Sequence, residues 1–173
     1  MTTSLTTGVT TGVTTGPTTG TATPFRVAFI HAPDPVYADT QNYGAKFMPV
    51  WAYTLGAHIP GDGRFALSLT DCRFEPEAGI GDADVFLFSG INQDYSQLCK
   101  VRDYLKDRFS NALFLIGGPI CWSFDQAGTL DQLAGFDHVY IGDGEDKIVD
   151  IMENLYAGVV QPHLIRADSR FKI

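Results

Sequence analysis

Two glycine-bearing turns hold the residues best suited to chemistry in this chain. Gly117-Gly118-Pro119 follows the apolar run Ala112-Leu113-Phe114-Leu115-Ile116, and Gly142-Asp143-Gly144-Glu145 follows His138-Val139-Tyr140-Ile141. Glycine directly after a strand lets the backbone turn sharply and lets a flat ligand approach the main chain. Ser89-Gly90-Ile91-Asn92 follows a third apolar run, and Trp122 stands where its ring could stack on such a ligand. No hydrolytic or acid–base constellation stands out among them. Asp34, Asp39, Asp71, Asp82 and Asp84 fall in loops or at strand ends, where solvated carboxylates are ordinary. His58, His138 and His163 have no metal-ligand spacing, and no Cys-x-x-Cys joins Cys72, Cys99 and Cys121. The expectation is a binding site with no catalytic residue and no protein ligand to a metal.

The elements that must position these turns alternate. Phe25–Ala32 (FRVAFIHA) reads as a first strand, Phe65–Thr70 as a second, Asp84–Ser89 (DVFLFS) as a third, 112–116 as a fourth and His138–Ile141 as a fifth. Between them, Phe47, Val50, Trp51 and Leu55 recur at helical spacing, and Pro49 requires that helix to begin close to it. Asp94 and Gln97 suit a capping box ahead of a helix with Leu98, Val101, Leu105 and Phe109 on one face. Residues 117–135 read as looser, with one helical turn near Leu130. A last helix from about Glu145 to Ala157 presents Ile148, Ile151, Met152 and Leu155, and Gly158 stops it. Strand–helix alternation predicts a doubly wound, flavodoxin-like (Rossmann-like) α/β fold: a five-stranded parallel sheet in order 2-1-3-4-5. Its ligand crevice would lie between strands one and three, lined by 33–45, Ser89–Asn92 and 117–124.

Several occupants of such a sheet are excluded by motif. No Gly-x-Gly-x-x-Gly follows the first strand, and no phosphate-binding Gly-x-x-x-x-Gly-Lys-Ser/Thr loop exists. A flavodoxin-type Ser/Thr/Gly loop after strand one is missing, as is a receiver's acidic cluster. Asp143, Glu145 and Asp146 load the start of the last helix with negative charge, which repels phosphate. A neutral, amide-rich ligand edge is more compatible.

Composition narrows the class. Of 173 residues, 45% are hydrophobic, enough for one ordinary core. A formal charge of -8 argues against nucleic acid and against anionic membrane as partners. No stretch approaches the roughly 20 apolar residues of a membrane span. The three cysteines form no disulfide framework, so the expected compartment is the cytoplasm. Residues 1–23 carry Thr-Thr-Gly every four residues from Thr6 to Gly20 and are expected to be disordered. The expected domain spans 24–158, and 159–173 reads as a C-terminal tail or linker.

Phe47-Met48-Pro49-Val50-Trp51-Ala52, Gly117-Gly118-Pro119 and Gly142-Asp143-Gly144-Glu145, in that order, resemble the cobalamin-binding domain found N-terminal to the barrel of B12-dependent radical SAM enzymes. The resemblance covers roughly residues 25–158. It implies that Ser89, Gly90, Asn92, Gly117, Gly118, Pro119, Trp122, Gly142, Asp143, Gly144 and Glu145 surround a corrinoid and its nucleotide tail. It also implies a partner, a radical SAM barrel in another domain or subunit, performing methyl transfer or a related radical step. The sequence departs from one branch of cobalamin domains, which carry Asp-x-His-x-x-Gly after strand one: here His31 has no glycine three residues on, so the resemblance implies no histidine ligand to cobalt. Nor does the chain hold Cys-x-x-x-Cys-x-x-Cys, so no iron–sulfur cluster is expected in it. A fragment, a split subunit and a stand-alone relative all stay open, as does a competing class: an interaction or regulatory module that has kept the fold and lost cobalamin.

Overall fold

A computed structural model describes residues 23–38 and 48–167. The Thr/Gly repeat, most of the 33–45 loop together with Phe47, and residues 168–173 lie outside the described residues. The strands are β1 (Phe25–His31), β2 (Phe65–Asp71), β3 (Val85–Ser89), β4 (Leu113–Gly117), β5 (His138–Ile141) and β6 (Leu164–Arg166). The helices are the single turn α1 (Pro35–Ala38), then α2 (Val50–His58), α3 (Tyr95–Arg108), α4 (Pro119–Gln126) and α5 (Ile148–Tyr156). Every strand pair is parallel, in the order β2-β1-β3-β4-β5-β6. The chain is an α/β protein with a six-stranded parallel sheet, flavodoxin-like in general kind.

Side chains alternate across each strand, and the two sets define two cores. Ala28, Ile30, Phe86, Phe88, Phe114 and Ile116 meet α3 through Leu98, Val101 and Leu105, and α4 through Ile120 and Cys121. Val27, Phe29, Val85, Leu87 and Leu115 meet α2 through Ala52, and α5 through Ile148, Ile151, Met152 and Leu155. Helices therefore cover both faces, which explains why Val85–Phe88 is apolar without a break.

Four expectations need correction. First, the sheet has six strands, because Leu164–Arg166, in the stretch expected as tail or linker, pairs with β5. Backbone bonds from Val139 N–H to the His163 carbonyl (2.7 Å) and from Ala167 N–H to that of Ile141 (2.9 Å) bracket it. Three residues are too short for a readable alternation; an available edge decides the pairing. Second, the region read as loose contains α4. Gly118 stands at its N-cap and Pro119 opens it, a position where proline's missing N–H costs nothing and its fixed φ suits a helix. Third, Asp94 forms no capping box with Gln97. Its carboxylate accepts from Asp34 N–H and Ile91 N–H, both at 3.0 Å, and so joins the loops after β1 and β3. Gln97 instead donates to Glu77. Fourth, α5 begins at Ile148, after a separate 3-10 turn over Gly144–Asp146. The acids Glu145 and Asp146 belong to that turn and not to the helix proper.

At the end of β2, Arg73 and Asp71 form a nearly buried ion pair, 10% and 14% exposed, with Nη2 to Oδ2 at 2.6 Å and Nε to Oδ1 at 2.9 Å. Burial alone would raise the Asp71 carboxyl; the bonds from Arg73 outweigh it and hold it below the usual carboxylate range. Because the folded value lies below the unfolded one, the stabilisation is complete above the unfolded value and is lost as pH falls through the folded one. Asp71→Asn is expected to cost about 1–3 kcal/mol at neutral pH and to flatten the loss of stability in acid. Urea unfolding of both proteins at pH 6 and pH 3 measures this; equal losses in acid would exclude the pair.

Candidate functional site

β3, β4 and β5 end at the same edge of the sheet, and their following turns converge there. After β4, Gly117 keeps ordinary strand geometry, but Gly118 takes φ 84° and ψ -168°, a conformation essentially reserved for glycine. A Cβ on Gly118 would run into Ser89 Oγ at the end of β3. The Ile120 N–H donates to the Gly90 carbonyl at 3.0 Å, fastening the start of α4 to the β3 exit. After β5, Gly142 takes φ 142°, and the Tyr140 hydroxyl donates to the Asp143 carbonyl at 2.7 Å, which holds the turn against its own strand. A Cβ on Gly144 would stand 2.9 Å from Leu55 of α2, so glycine permits α2 and this turn to close on each other.

Between α2 and α5 these turns enclose a cleft of about 390 Å³. Ser89, Gly117, Gly118, Pro119 and Trp122 line it, as do Gly142, Asp143, Gly144 and Glu145. Gly90 and Asn92 are not part of its lining: Asp94 and Leu98 fill the space beside Gly90, and Asn92 is exposed in a 3-10 turn. The walls come from residues not singled out as ligand contacts in the sequence: Trp51 and Leu55 of α2, Leu87 of β3, Leu115 of β4, Tyr140 of β5, and Ile148 and Ile151 of α5. The parity of Leu87 and Leu115, two residues before Ser89 and Gly117, is the signal that could have found them. The cleft therefore lies over β3, β4 and β5, displaced from the expected crevice between the first and third strands.

The electrostatics are one-sided. The charged lining residues are Asp143 and Glu145, and no lysine or arginine is among them. Burial, reinforced by Asp146, Asp143 and Glu145, pushes the Tyr140 hydroxyl up to about 12, so it stays a donor. An anion meets repulsion here; an apolar heterocycle with hydrogen-bond donors at its edge does not. Among the described residues no group of His, Cys, Asp and Glu is arranged to hold a metal ion. His31, at the end of β1, is half-buried, and burial lowers its pKa against the opposing pull of Asp71. Burial pushes the Cys72 and Cys121 thiols up to about 12, which leaves them protonated and unreactive. No helix among the described residues is long and apolar enough to cross a membrane. Neither protein-family models nor curated proteins supply a match to this chain.

Proposed function

We propose that this chain is a cobalamin-binding module, akin to the domain that precedes the barrel in B12-dependent radical SAM enzymes. The observation that carries this reading is the meeting of Gly117-Gly118-Pro119 and Gly142-Asp143-Gly144-Glu145 in the lining of one apolar cleft. The residues fit part of the ligand. At about 390 Å³ the cleft is at the small end of ligand pockets, which run roughly 300–1,000 Å³. It would hold the heterocyclic tail of a corrinoid between Trp51, Leu55, Leu87, Leu115, Ile148 and Ile151. The amide-rimmed ring would meet the backbone at 117–119 and 142–144, and Trp122 at the rim. Asp143 and Glu145 would keep the tail's phosphodiester toward solvent. When bound, the corrinoid would supply its metal's capacity for methyl or electron transfer; the chain supplies position and exclusion of water. The barrel chemistry belongs to a partner domain or subunit.

Incubation of the purified protein with hydroxocobalamin, followed by desalting, tests this. The corrinoid absorbance is expected to travel with the protein at close to one per chain. A colourless protein at micromolar concentrations would overturn the reading. It would favour instead a protein-docking module without cofactor, whose support is the exposure at the cleft end of Met48 (64%), Val50 (63%) and Trp122 (61%).

A further inference from the structure

Two ring nitrogens at this end of the sheet are buried without a hydrogen-bond partner among the described residues: Trp51 Nε1 and His31 Nδ1. Native proteins leave few such groups unmade, and each one calls for a reason. Their polar neighbours are satisfied. Asp94 is held by two backbone N–H groups, Asp71 by Arg73, and the Tyr140 hydroxyl by the Asp143 carbonyl. The two nitrogens are therefore exceptions in an otherwise paired region.

Both belong to the α2 side of the sheet. Trp51 lines the cleft, and its ring packs on Phe29 with centroids 5.8 Å apart. His31 lies two residues beyond Phe29, on the same face of β1. One step past the Ile30–Phe88 pair, His31 comes level with Ser89 on β3, and Ser89 also lines the cleft. Trp51, His31 and Ser89 thus gather at the carboxyl ends of β1 and β3, where strand order reverses and open α/β sheets bind their ligands.

We propose that this corner, which borders the cleft at Trp51 and Ser89, is a carboxamide-reading subsite, in which the ligand's amide carbonyl accepts from Trp51 Nε1–H and its N–H donates to His31 Nδ1. Ser89 Oγ is the adjoining hydroxyl, able to bond either end of the amide. An amide carries both a donor and an acceptor. A carboxylate would leave the histidine lone pair unmet, and would enter a cleft whose charged residues are Asp143 and Glu145. Burial, with Arg73, lowers the His31 pKa against the pull of Asp71 and Asp94, and the Nε2–H tautomer places the lone pair at Nδ1. Both nitrogens are sealed from solvent, so engagement turns the indole and the imidazole on their side-chain torsions. The subsite rests on the reading of the cleft as a ligand site, and a corrinoid's amide side chains would be its source of amides.

Benzamide and benzoate, matched in shape, test the subsite apart from any corrinoid. The chain has two tryptophans, so an ¹⁵N-labelled sample should give two indole N–H signals, assigned with Trp122→Phe. Benzamide is expected to move the Trp51 signal downfield and saturably, and benzoate to leave it in place. Trp51→Phe, which keeps an aromatic ring and loses the donor, should weaken benzamide binding about three- to tenfold, and His31→Ala should do the same. An unmoved Trp51 signal up to the solubility limit of benzamide, an equal response to benzoate, or full affinity in Trp51→Phe would each overturn the subsite. Hydroxocobalamin retained with the Trp51 signal unmoved would overturn the subsite alone. A benzamide response in a protein that retains no hydroxocobalamin would overturn the corrinoid reading alone.

Discussion

Replacing Gly118 with valine is expected to lower the unfolding free energy by about 3–5 kcal/mol, through a strained backbone and an overpacked contact together. The residue sits at φ 84° and ψ -168°, and its Cβ would meet Ser89 Oγ. To relax, β4 would have to shift against β3 at their shared carboxyl end, or α4 would have to detach from the Gly90 carbonyl that anchors Ile120. Urea unfolding with a shared slope measures the loss. A Gly118→Val protein within about 1 kcal/mol of the parent, inside the ordinary range for a benign substitution, would show that the turn adapts freely. The glycine pair thus divides its duties: the second glycine serves the fold, so its replacement cannot serve as a clean test of binding.

The first glycine can. Gly117→Leu is expected to leave stability within about 1 kcal/mol, because the site has ordinary strand geometry, its nearest new neighbours are Tyr140 atoms at 3.8 Å, and leucine narrows the unfolded ensemble. Gly117 has the parity of Leu113 and Leu115, so the new side chain projects into the cleft and occupies the space a heterocycle would need. Cobalamin retention should fall at least about thirtyfold, or 2 kcal/mol. Equilibrium titration by absorbance decides it. Undiminished affinity in a folded Gly117→Leu protein would place the ligand elsewhere on the molecule.

What was legible in the sequence depended on whether one segment carried its own signal. The runs Val85–Phe88 and Val139–Ile141 are apolar throughout, as strands covered on both faces must be, and each is followed by residues that end a strand. Pro49 marks the start of α2, where it forms the N-cap. α4 carried no such signal: Ile120-Cys121-Trp122-Ser123-Phe124 contains no strong helix former, and its helix is held by burying Ile120 and Cys121 on the sheet. Val50, expected to face inward, is exposed, while the smaller Ala52 is buried, because α2 is apolar on every side and its periodicity cannot choose. The rims of the cleft were readable because glycine there has a conformational reason. Its walls were not, since Leu87 and Leu115 look like any other core leucines until strand parity assigns them to the α2–α5 layer.

The cleft takes wall residues from Trp51, near the start of the second helix, through to Ile151 in the last one. No single strand–helix unit can therefore assemble it, and occupancy becomes a report that synthesis has passed Ile151 in α5 and that β3, β4 and β5 have come together. Any molecule bound there ties α2 to α5 and stabilises the fold by mass action. At a hundred times its dissociation constant it would add about 2.7 kcal/mol to the whole cooperative unit. A newly made chain that finds its ligand would gain that increment of resistance to proteolysis in the β2 edge strand as much as beside the ligand.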